Sequence, residues 1–195
     1  YQIVNEDNID VLIQLYDEFT KEMQPGKDFR RTIVFKNDLR KAFANSCNSA
    51  FSTIGAGLNK TSFINLCSTF LFNSNLPVGF EYSKSTMSVT KDSSVSEMQE
   101  TGIGQGKTMM SPLHNLMIAA SVANDGVMMT PYMVDNISDS EGRVVVKNQP
   151  SAIDTVMSAE EAEYLTECMR AVVTSGTGYA MKNSSYEAAG KTGSA

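Results

Sequence analysis

A polar segment, Asn45-Ser46-Cys47-Asn48-Ser49, interrupts a stretch of sequence in which apolar residues otherwise recur at helical spacing. The helical pattern covers residues 39–43 and resumes over residues 51–58. On a continuous helix, the side chains of Ser46 and Asn48 would point in nearly opposite directions, because they are two positions apart. Since the pattern breaks there, both side chains can serve one cleft. The sequence thus predicts two short helices with a polar corner between them.

The rest of the chain predicts a mainly helical protein of the α+β class with a few short strands. Two helices carry start signals, namely Ser111 followed by proline, and a capping box formed by Ser158 and Glu161. Thr61 is the expected cap of another helix, and the polar residues 73–100 predict a loop with one short helix. Helices are expected over residues 8–23, 39–43, 51–58, 61–72, 111–125 and 158–175, and strands over 32–35, 128–134, 143–146 and 186–195.

Composition excludes several classes of function. A net charge of -6, with no long run of Lys or Arg, argues against nucleic acid as a partner. The three cysteines, Cys47, Cys67 and Cys168, are too few and too widely spaced for a disulfide framework or a zinc site, so we expect buried thiols. The single histidine, His114, is expected on the surface, without a second metal ligand beside it. We therefore expect neither a metal nor a cofactor.

A second polar constellation, Lys191-Thr192-Gly193, follows Ala188-Ala189-Gly190 on the last predicted strand. Small residues at the edge of a strand let a substrate backbone approach closely and lie alongside it. Lys supplies positive charge, Thr a hydroxyl donor and Gly room. Like Ser46-Cys47-Asn48, this pattern occurs once in the chain, and the order of the two carries more information than either does alone.

Together with their surroundings, the two constellations resemble those of class B penicillin-binding proteins. The resemblance covers residues 38–195, whereas residues 1–37 show no clear match, and residues 1–195 are interpreted as one partial transpeptidase domain. It implies a partial penicillin-binding or β-lactamase-like transpeptidase fold, with a helical subdomain and the active-site strand. The matching segments are Ala42–Asn48 with Phe51, Gly104-Gln105-Gly106, Ser111-Pro112-Leu113, Ala123-Asn124-Asp125-Gly126 with Pro131, Val173, Gly176-Thr177-Gly178 with Ala180, and Lys191-Thr192-Gly193.

The resemblance implies a peptidoglycan D,D-transpeptidase. In such enzymes a serine attacks the penultimate D-Ala carbonyl of a stem peptide, releases D-Ala, and passes the acyl group to an amine of a neighbouring strand. By this resemblance Ser46 relays a proton toward the leaving amine. Asn48 hydrogen-bonds the substrate amide and helps to orient the lysine beside the nucleophile, and Lys191 contributes to the positive field and the proton network.

The resemblance also implies a substrate-binding role for the Lys-Thr-Gly segment. Thr192 is expected to bind the terminal carboxylate of the substrate, and Gly193 leaves room for its backbone. The backbone N–H of Ser194 is expected to be one donor of the oxyanion hole. The implied ligands are peptidoglycan stem peptides and β-lactam antibiotics.

The nucleophile motif of the family, a Ser-x-x-Lys ahead of the Ser-x-Asn, is missing, because residues 1–45 contain no serine. The only Ser-x-x-Lys, Ser88-Val89-Thr90-Lys91, follows Ser46 in a polar stretch and is interpreted as chance. We expect the nucleophile and a membrane anchor to lie upstream in a longer protein at the extracytoplasmic face of the bacterial membrane. This chain alone is expected to form no acyl-enzyme.

Two other classes of function stay open at the level of sequence. The same fold serves in β-lactam sensors, which are acylated and signal without turnover, and in non-catalytic scaffolds that act with division or elongation proteins. A serine β-lactamase is disfavoured, because no Glu-x-x-x-Asn that could supply a deacylating carboxylate lies between the two motifs.

Overall fold

The computed structural model describes residues 39–182 and 185–193. Within these residues the protein is mainly helical with four short strands, which confirms the expected α+β class. The described residues divide into two compact units, residues 39–54 with 167–182 and 185–193, and residues 55–166. In chain order, the elements are α1 (Leu39–Ala44), α2 (Asn48–Gly57), α3 (Lys60–Thr69), α4 (Val95–Gly102), α5 (Pro112–Ala123), β1 (Val127–Met129), β2 (Asn136–Ser138), β3 (Val144–Lys147), β4 (Ala152–Thr155), α6 (Ala159–Ser175) and a 3₁₀ helix (Tyr179–Met181).

The first unit contains α1 and the C-terminal part of α6. Glu167 on α6 forms an ion pair with Arg40 on α1, with 2.6 Å between Arg40 Nη2 and Glu167 Oε2. Because both side chains stay largely exposed to water, this pair contributes less than about 1 kcal/mol and mainly fixes how the two helices meet. The buried apolar side chains of the unit are Ala42, Ala44, Cys168, Val172 and Val173.

The second unit has two apolar clusters, both built largely on methionine. One cluster joins α5 and β1 and contains Leu76, Met117, Met128 and Val156. The other contains Met87, Val89 and Met98, with aromatic and aliphatic side chains of α3 packed against it. The flexible thioether side chain fills irregular gaps between helices and loops, so short elements can share a continuous core.

The helix start signals of the sequence are confirmed with one exception. The Ser111 side chain accepts a hydrogen bond from the His114 N–H at the start of α5. Ser158 and Glu161 form the expected capping box of α6. At α3 the cap is Asn59, whose side chain accepts from the Ser62 N–H, so the expectation for Thr61 is wrong. Asn is among the best capping residues, and with Asn59 as the cap the helix begins two positions earlier than expected.

The strands differ from the sequence prediction in their pairing. A turn over residues 139–142 joins β2 and β3 into an antiparallel hairpin, so β3 does not pair with the strand predicted over residues 128–134. That strand ends at Met129 and pairs antiparallel with β4, which the sequence analysis missed. A four-residue strand shows too little alternation to be read locally, and its partner is distant in sequence.

No strand is assigned to residues 186–193, the described part of the strand expected over residues 186–195. A strand requires a ladder of hydrogen bonds to a neighbouring strand. Here the Gly190 N–H donates to the Met169 carbonyl of α6, 3.2 Å away, so the segment is fastened to a helix. The segment that carries Lys191 therefore lies without regular secondary structure.

His114 lies in the interior, and the expectation of a surface position is wrong. Its side chain is 0% exposed. The ring nitrogen Nε2 lies 2.5 Å from the Phe70 carbonyl oxygen, and the ring centroid lies 4.8 Å from that of Phe72. The position one turn into α5 faces the core of the unit, where an aromatic ring with a hydrogen-bond donor fits a buried carbonyl.

Several sequence predictions fall on residues outside the described ranges. These are the helix over residues 8–23, the strand over residues 32–35 and the backbone donor of Ser194. Among the described residues, no helix combines the length and apolar character needed to cross a bilayer. The described ranges also contain no cluster of three His, Cys, Asp or Glu side chains that could hold a metal ion.

Candidate functional site

The corner between α1 and α2 is a turn that ends α1, and Ser46 at its centre has a left-handed backbone conformation. The Cys47 N–H donates to the Ala42 carbonyl at 2.9 Å, and the Ser46 N–H donates to the Phe43 carbonyl at 3.1 Å. These two bonds define a Schellman motif, in which the residue after the helix adopts positive φ. Ser46 occupies that position with φ of 53°. Glycine is the usual residue there, so the serine is held in a conformation that side chains disfavour.

The left-handed turn explains how the corner changes direction within two residues. α2 begins at Asn48, immediately after the turn, and the Asn48 side chain is exposed. The break predicted from the sequence is therefore real, and it separates Ser46 from the regular helix on either side. The described residues provide no hydrogen-bond partner for the Asn48 side chain, so its donors and acceptor face solvent.

Lys191 reaches this corner from the far end of the chain. Its ammonium nitrogen donates to Ser46 Oγ at 2.8 Å and to the Thr192 carbonyl at 3.0 Å. It also lies 5.8 Å from the ring centroid of Phe43, within the range of a cation–π contact. The structure thus brings together two of the site residues that the sequence analysis named separately.

The aromatic and backbone surroundings of Lys191 have an electrostatic consequence. Partial burial lowers the pKa of Lys191 below its usual 10.5, because an ammonium group loses hydration there. The two hydrogen bonds occupy two of its three donors, and a third is left for a ligand. Partial burial thus brings the Lys191 ammonium closer to proton release than that of an ordinary surface lysine.

A second turn, residues 176–178, packs against the same corner. The Thr177 N–H donates to the Ala44 carbonyl at 3.0 Å. A methyl group added at Gly176 would overlap that carbonyl oxygen, so only glycine allows the two backbones to come this close. The Gly-Thr-Gly turn therefore fixes the last residue of α1, immediately before the Ser46 turn.

Thr177 also contacts the Lys-Thr-Gly segment. Its Oγ1 lies 2.6 Å from Thr192 Oγ1, and either oxygen can be the donor. The sequence motif that contains Thr177 predicts no role for this hydroxyl. The signal was its place between two glycines, which indicates a tight backbone approach without saying what the threonine hydroxyl meets.

The segment before Lys191 is fastened to α6 by an ion pair and a backbone bond. Arg170 on α6 pairs with Glu187, which lowers the pKa of the Glu187 carboxyl through hydrogen bonding and charge. The Gly190 N–H bonds to the Met169 carbonyl one residue earlier on α6. Gly193 is exposed, and a side chain there would meet open space. The edge presented by residues 191–193 is thus accessible to a ligand.

The alternative Ser-x-x-Lys at Ser88 lacks the geometry of a nucleophile pair. Residues 88–90 are not helical, so Lys91 is not brought one helical turn from Ser88. The Ser88 hydroxyl instead lies 3.1 Å from Thr108 Oγ1. The geometry agrees with the interpretation of this pattern as chance.

Comparison with known proteins gives a consistent result. The family described as "Penicillin binding protein transpeptidase domain" matches residues 14–195, starting upstream of the motifs quoted above. Peptidoglycan D,D-transpeptidase PbpA of Mycolicibacterium smegmatis is 29% identical over 132 residues, which are 67% of this chain and 26% of the relative. The chain therefore spans about a quarter of the length of the curated relatives that it matches.

Solved structures agree on the fold. The D,D-transpeptidase domain of a peptidoglycan glycosyltransferase from Eggerthella lenta matches with a TM-score of 0.73 and 25% identity, over 80% of this chain and 41% of that one. Penicillin-binding protein A from Mycobacterium tuberculosis, solved as a ceftriaxone acyl-enzyme complex, matches with a TM-score of 0.63 and 28% identity, over 71% of this chain and 31% of that one. The partial transpeptidase fold expected from the sequence is confirmed.

Proposed function

The chain belongs to the penicillin-binding protein transpeptidase family, and on that basis we propose that it is part of a peptidoglycan D,D-transpeptidase working through a serine acyl-enzyme. The observation that carries the proposal is the hydrogen bond from the Lys191 ammonium to Ser46 Oγ, at 2.8 Å. It joins the Ser-x-Asn and Lys-Thr-Gly motifs into one polar site. The relatives named as D,D-transpeptidases support the reaction class.

The proposed role of Ser46 and Lys191 is to deliver a proton to the leaving group. When a serine attacks the penultimate D-Ala carbonyl, a C–O bond forms, the serine proton passes to the lysine of the proposed upstream Ser-x-x-Lys motif, and the C–N bond to the terminal D-Ala breaks. The departing amine needs a proton. Ser46 can donate its hydroxyl proton and take one from the Lys191 ammonium, whose pKa is lowered by burial. Lys191 is then neutral and can accept a proton when the acceptor amine attacks.

The proposed substrate contacts lie on either side of that pair. Asn48, which is exposed at the start of α2, is proposed to hydrogen-bond the substrate amide. Thr192 donates to the terminal carboxylate, and the free donor of Lys191 adds positive charge. The open space at Gly193 leaves room for the substrate backbone, and the Ser194 N–H is proposed as an oxyanion-hole donor.

The attacking serine is proposed to lie outside these 195 residues. No serine precedes Ser46, and Ser88 lacks a lysine at helical spacing. The complete protein would act outside the cytoplasm, held by a membrane anchor, on stem peptides and β-lactams. The solved acyl-enzyme complex of a family member with ceftriaxone supports the second ligand class.

A fluorescent penicillin tests the proposal on the complete protein and on this chain separately. We expect covalent labelling of the complete protein, release of D-Ala from a stem-peptide substrate, and no labelling of the chain. Labelling without D-Ala release would favour a sensor. The absence of both labelling and D-Ala release would favour a scaffold. Labelling of the chain that disappears in Ser88→Ala would show that the nucleophile has been assigned wrongly.

A further inference from the structure

We propose that Thr177 is a positioning residue, which donates its hydroxyl proton to Thr192 and thereby keeps the Thr192 proton free for a carboxylate ligand. The inference rests on the proposed function, because it assumes that Thr192 meets a carboxylate. It starts from the short contact, 2.6 Å, between the two hydroxyl oxygens. A hydroxyl has one proton and two lone pairs, so the direction of this bond decides what Thr192 has left to offer.

The surroundings of Thr177 favour one direction. Thr177 Oγ1 has a second possible acceptor, the Ala44 carbonyl oxygen, but at 3.4 Å that contact is long and weak. The same carbonyl already accepts a hydrogen bond from the Thr177 N–H at 3.0 Å, so it still has a donor if the Thr177 hydroxyl turns away. When a carboxylate ligand takes the Thr192 proton, the 2.6 Å contact can persist only if Thr177 donates and Thr192 accepts.

The direction of this hydrogen bond determines what the Thr192 hydroxyl can donate to a ligand. As an acceptor from Thr177, the Thr192 hydroxyl can point its own proton only toward another acceptor, and the exposed side of residues 191–193 is open. A hydroxyl that accepts one hydrogen bond also becomes a better donor in the next. An anionic oxygen placed there would receive one proton from Thr192 and one from Lys191, whose third donor is free.

The fixed backbone around Thr177 makes the arrangement reproducible. Gly176 lets the turn pack directly on the Ala44 carbonyl, and the Thr177 N–H holds it there. Thr177 is thus anchored through its backbone, whereas its hydroxyl serves Thr192. A substitution that changes only the hydroxyl should leave the turn intact.

The test measures reversible binding of an N-acyl-D-alanyl-D-alanine peptide to the complete protein by NMR titration, beside the same peptide with a C-terminal amide. Thr177→Val keeps the shape and removes the donor. We expect it to weaken binding of the acid about three- to tenfold and to leave binding of the amide unchanged. Thr177→Ser retains a hydroxyl and should restore binding of the acid.

A double-mutant cycle separates positioning from a structural role. In a Thr192→Val background, Thr177→Val should have no further effect on binding of the acid. Equal weakening for acid and amide, an undiminished effect in the Thr192→Val background, or no rescue by serine would overturn the proposal. These binding measurements need no acylation. A failure of the proposed catalysis would therefore show in the penicillin assay, and it would not be mistaken for a failure of the positioning role proposed for Thr177.

Discussion

The ammonium nitrogen of Lys191 lies 2.8 Å from the hydroxyl oxygen of Ser46, across 145 residues of sequence. The contact depends on two unusual backbone features. Ser46 takes a left-handed conformation with φ of 53°, and Gly176 packs without a side chain against the end of the same helix. Each of these features leads to a prediction that a substitution can test.

Replacing Ser46 should affect stability and activity in opposite directions. Ser46→Gly removes the side chain that disfavours positive φ, so we expect a gain of up to about 1 kcal/mol in the free energy of unfolding. It also removes the hydroxyl, and acylation of the complete protein by penicillin should slow about a hundredfold or more. Denaturant unfolding and stopped-flow acylation measure the two effects.

Ser46→Ala is the matched control for that experiment. It removes the same hydroxyl but keeps a Cβ in the left-handed conformation, so it should be no more stable than wild type while acylating as slowly as Ser46→Gly. If alanine and glycine were equally stable, the strain assigned to this turn would not exist. If either variant acylated at the wild-type rate, Ser46 would have no part in proton transfer.

Gly176→Ala should be strongly destabilising. The added methyl group would overlap the Ala44 carbonyl oxygen, which is backbone and cannot move aside without displacing α1. We expect a loss of about 2–4 kcal/mol and a shift of NMR signals around Ser46. Gly190→Ala is the control, because its methyl group would meet no atom within 4 Å. Equal Tm values for the two variants would contradict the close packing.

Local signals in the sequence predicted the helix break at Ser46 and two helix caps better than they predicted the sheet. The break at Ser46 follows from polar residues inside a helical pattern, and the caps at Ser111 and Ser158 are local choices as well. Each needs only a few neighbouring residues, so sequence alone identifies it. The pairing of β1 with β4 depends on contacts between distant segments, and no local pattern specifies it.

The interior position of His114 and the role proposed for Thr177 also depend on contacts between distant segments. The sequence alone therefore could not predict them. A histidine near a helix start is typical of a surface, and only packing against Phe70 and Phe72 places it inside. Two threonines 15 residues apart become neighbours only when the turn at Gly176 folds back on α1. Motifs indicate which residues matter, whereas their mutual geometry comes from tertiary contacts.

Replacing His114 should destabilise the second unit through its hydrogen bond. The ring is fully buried, and Nε2 acts as the donor in the hydrogen bond to the Phe70 carbonyl. His114→Phe keeps an aromatic ring but leaves that carbonyl without its donor, and should cost about 1–2 kcal/mol. His114→Ala also opens a cavity, and should cost about 3–4 kcal/mol. A phenylalanine variant as stable as wild type would show that the hydrogen bond contributes nothing.

The lowered pKa of Lys191 predicts a specific dependence of stability on pH. Because burial lowers the pKa in the folded protein below the usual 10.5, the unfolded chain binds more protons between those two values. Stability therefore rises with pH in that window, and the penalty for the partly desolvated ammonium is fully present below it. Relative to Lys191→Met, wild type should gain stability as the pH rises through the window that ends at the usual pKa of 10.5.

Lys191→Arg provides the control for that measurement, since a guanidinium stays charged over the whole range. The stability of Lys191→Arg relative to Lys191→Met should stay constant with pH, with an offset in absolute value because the contact with Ser46 changes. Only the slope is diagnostic, because the hydrogen bonds lost in the methionine variant add an offset that hardly varies with pH. Parallel wild-type and arginine curves would mean that Lys191 keeps an ordinary pKa, and the proton relay through Ser46 would lose its electrostatic basis.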